Sequence, residues 1–292
     1  MDFDNSWQAL LKPGTATSFF DVHGQSKFQV DVSGFSLINA WWLAELSRLI
    51  YKLGADETPS PPAGPARNEV LNRVGLQEVK FIRSKTAQCA LIKTLPQFDD
   101  QFRVLVFRGT DELIDWLSDL NALPVEWEGA GLVHQGFRDA LETVWPEIKQ
   151  ALEADNSPVF YTGHSLGASM ATLAAAKISP HAVYTFGSPF TGNEAFVESL
   201  SGVKVYRVAN NRDVVPTVPP LLGLRHVGEL HYIAHDGQFV VDPDDLSVAM
   251  DRLKKDAANS RQQDFRKFFT DAPELLADHA PVNYVAHLER AI

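Results

Sequence analysis

A short apolar run, Val159-Phe160-Tyr161-Thr162, ends at Gly163-His164-Ser165-Leu166-Gly167 and passes straight into an Ala-rich stretch, residues 168–178. The first reads as a buried strand and the last as a buried helix, so the chain must reverse direction within the glycine-flanked pentapeptide. A turn that tight strains the backbone of its central residue, and flanking glycines leave room for it. The serine hydroxyl then stands clear of the sheet, facing the partial positive charge of the helix N-terminus. This is the pattern of an elbow that presents a nucleophilic serine. A Gly-rich turn with a helix-capping serine satisfies the same local pattern, so partner residues must decide.

Strand-like and helix-like segments alternate from residue 77 onward. Residues 78–82, 88–94 and 102–107 read as strands, and 134–152 as mostly helical. Further strands are expected at 182–186, 203–208, 230–234 and 239–241, with His235-Asp236-Gly237-Gln238 as a hairpin turn. Such alternation predicts an α/β fold with a mostly parallel central sheet flanked by helices. Residues 36–53 predict an amphipathic helix with Ile38, Trp42, Leu46, Leu49 and Ile50 on one side. The loop at 58–65 is too proline-rich for helix or strand. Residues 244–270 are polar, with Leu246, Met250 and Leu253 at helical spacing, and read as a solvated peripheral helix. A final helix is expected over 280–292, with Pro281 in its first turn. We read one domain over 1–292, with an N-terminal helical region (1–75) and the peripheral segment (244–270) as its appendages.

The 292 residues are 45% hydrophobic, enough for one large core. The net charge of −11, with no basic cluster to offset it, argues against a nucleic-acid partner. Cys89 is the only cysteine, so no internal disulfide or Cys-based metal site is expected, and its apolar setting marks it as a packing residue. No stretch reads as an integral membrane segment. Residues 1–10 lack a basic region followed by a long apolar stretch, so no signal peptide is read in the chain. Localisation stays open between the cytoplasm and secretion with a leader outside this sequence. Oligomeric state is also open.

A serine hydroxyl needs a base, usually a histidine held by a carboxylate. In chain order after an elbow serine, the carboxylate comes first and the histidine second. Asp213, in Asn210-Asn211-Arg212-Asp213-Val214-Val215-Pro216, directly follows a strand, where active sites of open α/β sheets gather. A turn aspartate is the plainer reading, and Asp236 and Asp242 are the other acids considered. Among His226, His231, His235, His279 and His287, we favour His279, which sits on a loop able to aim its imidazole. An oxyanion hole would take the backbone N–H of Leu166 and a second donor from Thr110, at the end of the strand leading to Arg108-Gly109-Thr110.

In these blocks the chain resembles the class 3 lipases, α/β hydrolases related to fungal triacylglycerol lipases. Phe107-Arg108-Gly109-Thr110, Asp115-Trp116, Asp119-Leu120, Val133 to Phe137, Gly163 to Gly167, Phe186-Gly187-Ser188-Pro189, Gly192-Asn193, Asn211 to Pro219 and Asp278-His279 with Asn283-Tyr284 occur in the family's order. Phe190-Thr191 departs from the Arg-Val of many members. The resemblance implies the α/β-hydrolase fold, Ser165, Asp213 and His279 as triad, and Thr110 and Leu166 as oxyanion donors. It also implies that Leu113, Ile114, Trp116, Leu117 and Leu120, an apolar stripe at helical spacing, form a lid over the site. A helix packed permanently on the core would show the same stripe. The Leu221-Leu222-Gly223-Leu224 stretch is a second candidate for lining an acyl pocket. The implied reaction is ester hydrolysis at a lipid–water interface, without metal or organic cofactor, most simply of triacylglycerols. A phospholipase A1, a short-chain esterase and a non-catalytic lipase-like protein are the alternatives.

Overall fold

Strands that are apolar on both faces must be covered on both faces, and here the apolar runs line up side by side under two helical layers. The computed structural model describes residues 1–21, 26–52, 66–110, 123–219, 223–259 and 271–292, with the backbone alone for 255–259. The central sheet contains β1 (Leu76–Arg83), β2 (Gln88–Thr94), β3 (Arg103–Phe107), β6 (Val159–His164), β7 (Ala182–Phe186), β9 (Val205–Asn210), β11 (Glu229–Ile233) and β12 (Phe239–Val241), adjacent in that order. β3, β6, β7, β9 and β11 run parallel, while β1, β2 and β12 are antiparallel at the edges. A smaller sheet holds β4 (Pro124–Glu126), β5 (Leu132–His134), β8 (Gly192–Asn193) and β10 (Leu224–Arg225). These strands are only two or three residues long, too short for an alternating pattern to mark them.

Alternate residues of each strand feed two cores. Ile92, Val104, Val106, Phe160, Tyr184 and Val208 face a core completed by α2 (Leu37–Leu49), α3 (Arg67–Arg73) and α10 (Pro281–Ala291). Leu91, Leu105, Phe107, Tyr161 and Val183 face a second core. That core is closed by α4 (Gln135–Glu142), α5 (Trp145–Glu153), α6 (Leu166–Lys177) and α7 (Glu194–Ser199). Cys89 lies in this second core, where burial pushes its thiol pKa up. The expected helix at 134–152 is two helices, because Pro146 has no N–H to continue α4 and instead opens α5 in its first turn.

Two expectations change. Helix α2 is not amphipathic: residues 39–49 are all buried, because the N-terminal segment, the sheet and α10 enclose it. Its Glu45 and Arg48 pair with each other at 2.7 Å, and Glu45 also accepts the Phe20 N–H, so the buried charges are compensated. Helix α8 (Asp245–Asn259) exposes Leu246, Met250 and Leu253, yet its other side is pinned. Asp251 accepts hydrogen bonds from Asn211 Nδ2 (2.8 Å), Tyr232 Oη (3.1 Å) and the His235 N–H (2.8 Å). Arg252 donates to the Asp213 carbonyl at 3.2 Å. The short helices α1 (Trp7–Leu11) and α9 (Glu274–Ala277) complete the described elements. The Pro-rich loop, the apolar stripe at 113–120, Leu221-Leu222 and residues 260–270 lie outside the described residues.

Candidate active site

Ser165 stands between β6 and α6 with φ 60° and ψ −128°, a left-handed backbone that a non-glycine residue adopts only where its surroundings impose it. Two close approaches impose it. A Cβ on Gly163 would lie 2.4 Å from Gly167 backbone, and one on Gly167 would lie 2.3 Å from the Phe107 carbonyl oxygen. The turn is closed by the Ser165 N–H donating to the Phe186 carbonyl at 3.0 Å and the Ala168 N–H donating to the Ser165 carbonyl at 3.0 Å. Both glycines are therefore steric requirements of the elbow, which is what the sequence pattern demanded.

Asp213 and His279 come together from sequence positions far apart. His279 Nδ1 and Asp213 Oδ2 are 2.7 Å apart, both fully buried. A carboxylate only accepts, so Nδ1 carries a proton, and Nε2 is the nitrogen left without a partner among the described residues. Asp213 Oδ1 accepts the Val215 N–H at 2.8 Å, and Oδ2 also accepts the Tyr284 hydroxyl at 2.6 Å. Tyr284 in turn accepts the Asn210 N–H at 3.1 Å. Burial and the adjacent Asp213 hold the Tyr284 pKa well above the usual tyrosine range, so it remains a donor. The His279 loop is held from both sides. Asn210 Nδ2 donates to the Asp278 carbonyl (2.9 Å), the Arg212 N–H donates to Asp278 Oδ2 (3.1 Å), and Asn283 Nδ2 donates to the Ala277 carbonyl (2.9 Å).

Ser165 Oγ and His279 Nε2 are each buried without a hydrogen-bond partner among the described residues, so the serine–histidine bond is not formed in this state. The geometry around them is tight. A Cβ on Gly187, where φ is +58°, would lie 2.7 Å from Asp213 Oδ2 and 2.9 Å from His279 Nδ1. Gly187 thus lets the acid–histidine pair close down on the end of β7. Gly187 and Tyr284 escaped the reading of the residues as site positions. A glycine directly after a buried strand was the available signal for the first. Tyr284 was marked only as part of the histidine block of the family resemblance, which carried no role for it, since it lies on a helix whose packing the sequence does not disclose.

The competing residues are engaged elsewhere. Asp236 caps the β11–β12 turn by accepting the Gln238 N–H, and Asp242 accepts the Leu230 N–H. His226 lies within 2.8 Å of the Pro216 carbonyl, His231 stacks on Phe35, His235 binds Asp251, and His287 packs on Phe3. Thr110 and Leu166 line one cleft of about 300 Å³, together with Gly109, Arg108 and the 84–88 hairpin. The Phe190-Thr191 departure is absorbed by packing: Phe190 stacks on His226 at 4.2 Å and Thr191 donates to Ser169 Oγ at 3.1 Å.

Residues 104–223 match the family described as lipase (class 3). A lipase of Rhizomucor miehei is 31% identical over 176 residues, 53% of this chain and 47% of that protein. A chloroplastic phospholipase A(1) of Arabidopsis thaliana is 34% identical over 148 residues, 40% of this chain and 33% of that protein. The chain spans about half the length, or less, of such curated relatives. The Rhizomucor miehei lipase–propeptide structure superposes with a TM-score of 0.54 at 21% identity, covering 82% of this chain and 84% of that one. That likeness is one of fold, the α/β-hydrolase fold.

Proposed function

Because the chain belongs to the class 3 lipase family, we propose that it hydrolyses carboxylic esters of acylglycerols with Ser165 as nucleophile, His279 as base and Asp213 as the orienting acid. The observation that carries this reading is the strained Ser165 elbow beside a buried His279–Asp213 pair whose free nitrogen is Nε2. In the proposed cycle Ser165 attacks the ester carbonyl and His279 Nε2 takes the hydroxyl proton. Asp213 stabilises the imidazolium, with its own charge shared by Tyr284 and the Val215 N–H. The Leu166 N–H, directly after the nucleophile, and Thr110, on the loop after β3, stabilise the tetrahedral oxyanion. His279 then returns the proton to the leaving alcohol, and water repeats the sequence on the acyl-enzyme.

Ser165, Asp213 and His279 are all essentially closed to solvent. Substrate entry therefore requires something to move, which supports the reading of Leu113, Ile114, Trp116, Leu117 and Leu120 as a lid. We read the chain as one catalytic domain, supported by helix α2 of the N-terminal region packing against β6 and α10 at the site. No helix among the described residues is long and apolar enough to cross a membrane.

The test is turnover of emulsified long-chain triacylglycerol, phosphatidylcholine vesicles and a soluble short-chain ester, with Ser165→Ala as blank. Triacylglycerol turnover that vanishes in Ser165→Ala supports a lipase. Vesicle turnover in its place makes the chain a phospholipase, a reading the Arabidopsis relative favours. Activity that survives Ser165→Ala, or activity on none of the three, overturns the assignment.

A further inference from the structure

His164 occupies the variable position of the elbow motif, and the elbow itself places no demand on its side chain. Strand alternation fixes where it points: Phe160, Thr162 and His164 share the face of β6 that meets α2 and α10. There the imidazole is fully enclosed and bound at both nitrogens. Nε2 lies 2.7 Å from the His279 main-chain carbonyl, and Nδ1 lies 3.3 Å from the Tyr51 hydroxyl. A carbonyl only accepts, so Nε2 carries the proton and Nδ1 accepts from Tyr51. The His164 ring also lies against the His279 ring, with centroids 4.3 Å apart.

From this geometry we infer that His164 and Tyr51 are a positioning pair that holds the main chain of the base His279, tying it to the loop bearing the oxyanion donor Thr110. Tyr51 makes the second half of the tie. Its hydroxyl reaches beneath Gly109, where an added Cβ would lie 2.2 Å from it, and the Arg108 guanidinium sits 5.3 Å from its ring centroid. One buried chain of contacts thus links Arg108 and Gly109, Tyr51, His164 and the carbonyl of His279. The base and the oxyanion loop, distant in sequence, are set against a common support.

The role needs a neutral ring with opposite polar ends. A second cation against His279 would oppose the imidazolium that forms during turnover. The groups facing His164 are Tyr51, His279 and Tyr284, whose ring centroid is 5.9 Å away. None is an anion, and burial holds the His164 pKa well below its ordinary value, with His279 acting in the same direction. Glutamine can place an amide N–H near the position of Nε2 without a titrating ring. Leucine fills similar space with no donor.

This inference rests on His279 as base, and the experiment separates the two claims. His164→Leu, His164→Gln and Tyr51→Phe are compared by kcat and KM on a soluble ester. The downfield proton resonance of the His279–Asp213 hydrogen bond is recorded in the free proteins. The expected result for His164→Leu is a kcat lower by roughly tenfold to a hundredfold, a nearly unchanged KM and a broadened or lost resonance. His164→Gln restores kcat to within about threefold of the parent and keeps the resonance; Tyr51→Phe gives a loss smaller than His164→Leu. Parent-like kcat and resonance in His164→Leu overturn the proposal. So does a His164→Gln variant as impaired as His164→Leu, because packing alone would then explain the site. If His164→Leu does not fold, a Tyr51→Phe variant with unchanged kcat and resonance refutes the tie. A parent protein with no ester turnover sinks the functional reading, while the resonance still decides the positioning claim.

Discussion

Tyr284→Phe and Tyr161→Phe delete the same atom from two fully buried rings, yet their effects should differ in sign. Tyr284 Oη donates to Asp213 Oδ2 at 2.6 Å and accepts the Asn210 N–H at 3.1 Å. Removing it forfeits a hydrogen bond to a charged group, about 1.5–3 kcal/mol, and leaves a buried backbone N–H unpaired, about 1–3 kcal/mol more. The two together come to roughly 2.5–6 kcal/mol, a large share of the stability of an ordinary domain. Tyr161 Oη is buried with no partner among the described residues, so its solvation is already lost on folding. Tyr161→Phe is expected to be neutral or stabilising by up to about 1 kcal/mol. Equilibrium urea unfolding followed by tryptophan fluorescence reads both, and the six tryptophans give signal. With a slope of about 3 kcal/mol/M, Tyr284→Phe should lower the midpoint by roughly 0.8–2 M. Equal midpoints for the two variants would refute the reasoning, since burial of the ring alone would then set the cost.

Gly187→Ala forces φ +58° on an alanine and drives its Cβ toward Asp213 and His279, so kcat should fall at least about tenfold with a smaller change in KM, measured on a soluble ester. Thr110→Ala, which removes the side-chain hydroxyl and leaves the N–H in place, should lower kcat by up to about a hundredfold if that hydroxyl binds the oxyanion, and hardly at all if only the N–H does. His164 and His226 are held neutral by burial, with pKa values below the ordinary 6.5. The charges facing them act the same way: His279 on the first, Arg207 on the second. Above about pH 6.5 neither folded nor unfolded chain protonates them, and their contribution to stability is complete. As pH falls below about 6.5 the unfolded chain takes up protons that the native state excludes, so stability drops by roughly 1.4 kcal/mol per pH unit for each. Urea midpoints at about pH 7.5 and 5.5 check this, and His164→Gln should reduce the slope by one proton; a pH-independent midpoint would refute it.

Much of this architecture is local in origin and was legible as such. β2 and β7 fall where apolar runs put them, because a strand buried on both faces needs no partner to declare itself. The Ser165 elbow was equally legible, since Gly163 and Gly167 are required by contacts within a few residues and with the adjoining strand. Chain order and loop settings singled out Asp213 and His279, and the fold brings the two within 2.7 Å of each other. What the residues could not disclose was cross-chain. Helix α2 has the composition of a half-exposed helix but is enclosed on all sides, which only the meeting of three distant segments decides. Asp251 reads as one charge on a solvated helix, yet it gathers Asn211, Tyr232 and His235 beside the acid loop. Tyr284, Gly187 and Tyr51 acquire their places around Asp213 and His279 in the same way. The sequence by itself determined the strands of the central sheet, the elbow and the chemical types of the candidate catalytic groups, because short-range sterics and hydrophobic pattern govern those. Tertiary structure alone decided which buried polar groups support them, because each such hydrogen bond depends on packing between segments far apart in the chain.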